Sequence, residues 1–141
     1  MLTRIDHVGI ACRDLAKAIA FYESTFGLEV VSQEISTEQG VREAMLRVAD
    51  APAGTSYVQL LEPLGPDTPV GRFLARRGEG VHHIGYGVTD ITAALSSIGA
   101  AGVRLIDARP RHGSMGASIA FLHPADIGGV LTVLVQAPGQ A

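Results

Sequence analysis

The chain repeats itself, and that repetition constrains the fold more than any other feature of the sequence. Ile5-Asp6-His7-Val8-Gly9 parallels Val81-His82-His83-Ile84-Gly85, and Asp14 and Asp90 follow the two histidines at the same offset. Gln59-Leu60-Leu61 aligns in turn with Val133-Leu134-Val135. The periodicity between these anchors agrees. Thr3–Ala11 is an apolar run suited to a buried strand. Behind Asp14, a residue type favoured at helix N-caps, Leu15, Ala18, Ile19, Tyr22 and Phe26 recur with helical spacing, and Gly27 lies where a helix end commonly turns left-handed. Leu28–Ile35, Val41–Val48 and Ser56–Glu62 are β-rich runs separated by the turn formers Glu38-Gln39-Gly40 and Pro52-Ala53-Gly54. The first copy thus reads βαβββ over about residues 1–63. Pro63-Leu64-Gly65-Pro66 opens a linker with a short helix, Val70–Arg77, over about 64–79. The pattern restarts over about 80–137. Val81–Val88 is a strand, a helix runs from Asp90 to about Gly99, and Val103–Asp107, Ala117–Leu122 and Val130–Gln136 are strands. Two copies of one unit predict a single α+β domain over 1–141, a partly closed mixed β-barrel with the helices outside.

In such a barrel, equivalent positions converge across a pseudo-twofold axis. His7 and His83 occupy the same place in their copies, so both imidazoles should enter one cavity. A single histidine on an apolar strand is more often a satisfied core residue, but symmetric placement favours a ligand pair. Gln59 lies mid-strand, where a buried amide needs a partner for its oxygen, and a cation would provide one. Two imidazoles and an amide oxygen suit Co²⁺, Mn²⁺, Ni²⁺, Fe²⁺ or Zn²⁺ better than Ca²⁺. Three protein ligands leave positions open for a substrate. His82 has the opposite strand parity, and His112 and His123 belong to loop and turn contexts.

Composition removes several other classes of function. A length of 141 residues, 47% hydrophobic and 18% charged, gives one ordinary globular domain. The net charge of −3 and scattered basic residues give nucleic-acid binding no support. Arg72, Arg76 and Arg77 form a solvated helix face or meet an anionic substrate tail. No apolar stretch approaches the ~20 residues that cross a bilayer. A lone Cys12 and no recognisable leader point to the cytoplasm, with Cys12 as buried packing. The loop Arg109-Pro110-Arg111-His112-Gly113-Ser114-Met115-Gly116 is either a basic surface hairpin or an approach to phosphates or a carboxylate.

Five segments are similar to the methylmalonyl-CoA epimerase family of the vicinal-oxygen-chelate (glyoxalase/bleomycin resistance/dioxygenase) superfamily. They are Ile5-Asp6-His7-Val8-Gly9, Glu38-Gln39-Gly40-Val41-Arg42-Glu43, Gln59-Leu60-Leu61-Glu62-Pro63, Gly80-Val81-His82-His83 and Phe121-Leu122-His123-Pro124. They span nearly the whole chain in the family's order. The resemblance implies that His7, Gln59 and His83 bind a divalent metal, cobalt preferred, and that Glu43 is a catalytic base. It further implies an acyl-CoA substrate and a homodimer. On the residues alone, Glu43 is either a cavity base or a rim charge paired with Arg42 or Arg47. The family's fourth ligand, a glutamate in the last strand that is also the usual second acid/base, is replaced here by Val133.

The implied reaction is epimerisation of methylmalonyl-CoA or a related 2-substituted malonyl thioester through a metal-stabilised enolate. Without a carboxylate at position 133, either water or a substrate group supplies the second proton, or Glu43 works alone and the chemistry changes. Two alternatives stand beside this reading: a superfamily enzyme with another substrate, such as a tailoring isomerase or cyclase of secondary metabolism, and a non-catalytic binder of the bleomycin-resistance type.

Overall fold

The computed structural model describes residues 1–139. The chain divides into two compact units, one of His7–His82 and the other of Met1–Asp6 with residues 83 onward. The fold is α+β, and each unit carries a four-stranded mixed sheet.

In the first unit, the part of β1 (Leu2–Ala11) from His7 onward leads into α1 (Leu15–Phe26), and β2 (Leu28–Ser36), β3 (Val41–Val48) and β4 (Tyr57–Pro63) follow. The strand order is β2-β3-β4-β1, with β1 parallel to β4 and the other pairs antiparallel. Asp14 caps α1, its carboxylate accepting the Lys17 N–H at 3.1 Å, and Gly27 ends the helix at φ 69°. Gly40 turns β2 into β3 at φ 72°, where an added Cβ would also strike the Thr68 methyl at 2.6 Å.

The second unit is built from β5 (Gly80–Val88), α3 (Ile91–Ala100), β6 (Arg111–His112), β7 (Ser118–Leu122) and β8 (Thr132–Gln136), in the order β5-β8-β7-β6. Asp90 caps α3 through the Ala93 N–H at 3.0 Å, as Asp14 caps α1. The repeat extends to a less obvious contact. Glu62 Oε1 accepts the Leu15 N–H at 3.1 Å, and Gln136 Oε1 accepts the Ile91 N–H at 2.9 Å, so equivalent residues satisfy the first turns of equivalent helices.

One expected strand differs. Val103–Asp107 makes only an isolated bridge, Leu105 to Leu122. The Ile106 and Asp107 N–H groups both donate to the Phe121 carbonyl, at 3.0 and 3.1 Å, which breaks the alternation as a bulge does. Pairing with β7 becomes regular only beyond Pro110, at Arg111 and His112, inside the basic loop.

Apolar packing assigns the sheet faces. Leu15, Ala18, Ile19 and Tyr22 of α1 cover Ala44, Leu46, Leu60 and Cys12, while Ile91, Ala94 and Leu95 of α3 cover Ala120, Leu122 and Leu134. The linker helix α2 (Pro69–Arg77) lies against the other face of the first sheet, where Val70 and Leu74 pack on Ala11, Val41 and Leu61. Arg72, Arg76 and Arg77 face solvent. Among the described residues, no helix is long and apolar enough to cross a membrane.

Candidate active site

Strand register gathers three polar side chains on one face of the first unit. Gly9 lies opposite Gln59 in the β1–β4 ladder, two residues beyond His7 opposite Tyr57. In the β3–β4 ladder Met45 lies opposite Gln59 and Glu43 opposite Leu61. Because side chains alternate along a strand, His7, Gln59 and Glu43 share the face that α2 packs against at Val41 and Leu61. All three are buried, at 5%, 6% and 3% exposure. Gln59 Nε2 donates to Glu43 Oε2 at 3.0 Å. Gln59 Oε1 is also buried and accepts no hydrogen bond among the described residues. Glu43 is therefore no rim charge. Arg42 pairs with Glu62 at 3.5 Å and Arg47 with Glu29 at 3.4 Å.

The second unit repeats this geometry with different chemistry. His83 is buried, and Gly85, two residues on, lies opposite Val133, as Gly9 lies opposite Gln59. Phe121 lies opposite Val133, and Ile119 opposite Val135, making Ile119 the counterpart of Glu43. Ala117, Ile119, Val133 and Val135 form a buried apolar cluster flanked by Phe121, whose ring meets the His83 ring edge-on at 5.7 Å between centroids. Val133 is 2% exposed. Gln136, with the opposite parity to Val133, is engaged at the start of α3.

The remaining histidines have other surroundings. His82 meets the Phe73 ring edge-on at 5.1 Å, and burial pulls its pKa down to about 4. His112 is exposed, and His123 Nδ1 accepts the Ala125 N–H at 3.1 Å at the head of a short 3₁₀ turn. Among the described residues, no group of three or more His, Cys, Asp or Glu is placed to hold a metal ion.

Residues 6–121 match the family model of the Glyoxalase/Bleomycin resistance protein/Dioxygenase superfamily. An ethylmalonyl-CoA/methylmalonyl-CoA epimerase of Cereibacter sphaeroides is 36% identical over 96% of this chain and 99% of its own length. A solved methylmalonyl-CoA epimerase in complex with methylmalonyl-CoA and NH4+ is 52% identical, with a TM-score of 0.94 over 99% of this chain and 98% of that one. The chain belongs to the methylmalonyl-CoA epimerase family. A Streptomyces coelicolor methylmalonyl-CoA epimerase variant in complex with 2-nitronate-propionyl-CoA matches equally well, with 52% identity and a TM-score of 0.94 over the same shares of the two chains. Like the epimerases it resembles, the chain is an enzyme of the racemase and epimerase kind.

Against that family background, sequence reasoning missed two neighbours of the expected ligands. Met45 and Phe121 are the cross-strand partners of Gln59 and Val133. Their signal was strand parity, which needs a register before it identifies partners. Arg111 lies in the basic loop, at the start of β6. Its guanidinium sits 5.6 Å from the centre of the Phe121 ring and pairs with Asp107 at 3.3 Å.

Proposed function

We propose that this chain, in the cytoplasm and as a homodimer, epimerises methylmalonyl-CoA or a closely related 2-substituted malonyl thioester, with Glu43 as the base. The observation that carries the reading is the buried Glu43 carboxylate, hydrogen-bonded to buried Gln59 on the face that also presents His7. Burying a carboxylate is costly, and folds keep such groups chiefly where chemistry needs them.

His7, Gln59 and His83 are the residues that would hold a divalent cation, cobalt by preference. The donor set fits: two buried imidazoles and a buried carbonyl oxygen that accepts no hydrogen bond among the described residues. When bound, such a cation supplies positive charge where the thioester and carboxylate oxygens gain negative charge.

The C2 proton of the substrate lies between two carbonyl groups, so its removal gives an enolate. Glu43 accepts that proton. Glu43 is buried, on the sheet face where α2 packs on Val41 and Leu61. Inversion requires a proton to return to the opposite side of C2. In the second unit, the counterparts of Glu43 and Gln59 are Ile119 and Val133, and neither carries a proton. That proton must therefore come from water or from the substrate, making inversion slower than proton removal.

The test is conversion of one methylmalonyl-CoA epimer into the other by Co²⁺-loaded protein, compared with Glu43→Gln. A positioned base typically contributes about 10²–10⁴-fold, and a loss of that order is expected. An unchanged rate in Glu43→Gln would remove Glu43 from the mechanism. No conversion by either protein, combined with tight acyl-CoA binding, would favour a non-catalytic binder.

A further inference from the structure

We infer that Gln59 is a positioning residue for the base as well as a candidate metal ligand: its amide N–H holds the Glu43 carboxylate in place for proton removal. The inference rests on the reading of Glu43 as the base. Gln59 and Glu43 are diagonal neighbours across the β3–β4 ladder, since Gln59 faces Met45 and Glu43 lies two residues along. The 3.0 Å bond from Nε2 to Oε2 joins two side chains that are 6% and 3% exposed.

The internal repeat shows that the fold does not need this bond. The same diagonal in the second unit is occupied by Ile119 and Val133, 7% and 2% exposed, in an equivalent ladder. An apolar pair therefore satisfies the architecture. Burying a polar pair there instead is generally no more stabilising, and often less so. The pair in the first unit is thus explained by function.

The bond also fixes which way the amide faces. With Nε2 directed to Glu43, Oε1 is the end left for a cation, so a single side chain orients both parts of the site. Anchoring Oε2 restricts the rotation of the carboxylate that is to meet the C2 proton. Misplacing a reacting group by about 1 Å can cost about 10²-fold, which sets the scale of the expected effect.

Two measurements on the full-length protein test this role. The first is the rate of C2 proton exchange into methylmalonyl-CoA in D₂O at saturating Co²⁺ for wild type and Gln59→Glu, which keeps an oxygen for the metal and loses the amide donor. The expected result is a kcat lower by about 10- to 100-fold with KM unchanged. Exchange by wild type and an undiminished kcat in Gln59→Glu would overturn the positioning role alone, whereas no exchange by wild type would overturn the base assignment beneath it. The second is the ¹⁵N NMR signal of the Gln59 side-chain amide in Zn²⁺-loaded protein, compared with Glu43→Ile. That variant introduces the residue type already present at the equivalent Ile119. Removing the carboxylate should shift the amide protons and speed their exchange with water. An amide signal indifferent to Glu43→Ile would overturn the inference whatever the activity.

Discussion

In the function proposed here, Val133 stands where the family resemblance implies a carboxylate. It sits in the register position that Gln59 holds in the first unit, but among Ala117, Ile119 and Val135. A carboxylate there would share a sheet face with His83. Val133→Glu should therefore raise the rate of inversion of methylmalonyl-CoA, by up to about 10²-fold if it supplies a positioned acid. Chiral analysis of the product checks this, and an unchanged rate would mean that the site has been adapted to a different reaction. Cys12 makes a separate residue-level prediction. Burial, reinforced by the Glu62 and Glu79 carboxylates, pushes its thiol up to about 11 from an ordinary value of 9.0. Between those values the unfolded chain holds fewer protons at this site than the folded one, so the contribution to stability is intact below pH 9 and is lost as pH rises toward 11. Thermal melts should fall over that window, and less steeply in Cys12→Ala. Equal slopes would contradict the burial. At this scale repetition and an isolated amide in an apolar run single out His7, His83 and Gln59, whereas Glu43 stands out only through the family resemblance. The bond between Gln59 and Glu43 stayed hidden, since two strands reveal a diagonal contact only once their register is known.

Helix α2 is the element whose place periodicity alone could not settle. Its short amphipathic pattern fixes that one stripe is buried but not which sheet face receives it. The structure lays Val70 and Leu74 on Ala11, Val41 and Leu61, beside the candidate site residues. Gly71 lets the loop before α2 fold closely onto the helix, because a Cβ there would run into the backbone carbonyls of Gly65 and Pro66. Gly71→Ala should cost about 1–3 kcal/mol of stability, measured by urea unfolding. A neutral substitution would contradict the close approach. β1, α1, β3, β5 and α3 were legible because their caps, glycines and alternation agree. The run Val103–Asp107 was not, because its bulge arises from two N–H groups sharing the Phe121 carbonyl, a tertiary event with no local signal.

Across the whole molecule, one structural unit is used twice for different ends. Both copies keep the capped helix, the carboxylate or amide at its first turn, and the buried histidine two residues before a glycine. Only the first copy keeps the buried polar pair. With proton removal placed in one copy and an apolar wall in the other, the enzyme should break the C2–H bond faster than it inverts C2. The measurement that tests this most directly follows deuterium incorporation at C2 of methylmalonyl-CoA in D₂O by NMR, with Co²⁺-loaded wild type and Glu43→Gln side by side. The predicted result is exchange that outpaces inversion in wild type and falls by about 10²–10⁴-fold in the variant. Exchange that persists undiminished in Glu43→Gln, or that never appears at saturating metal, would contradict it.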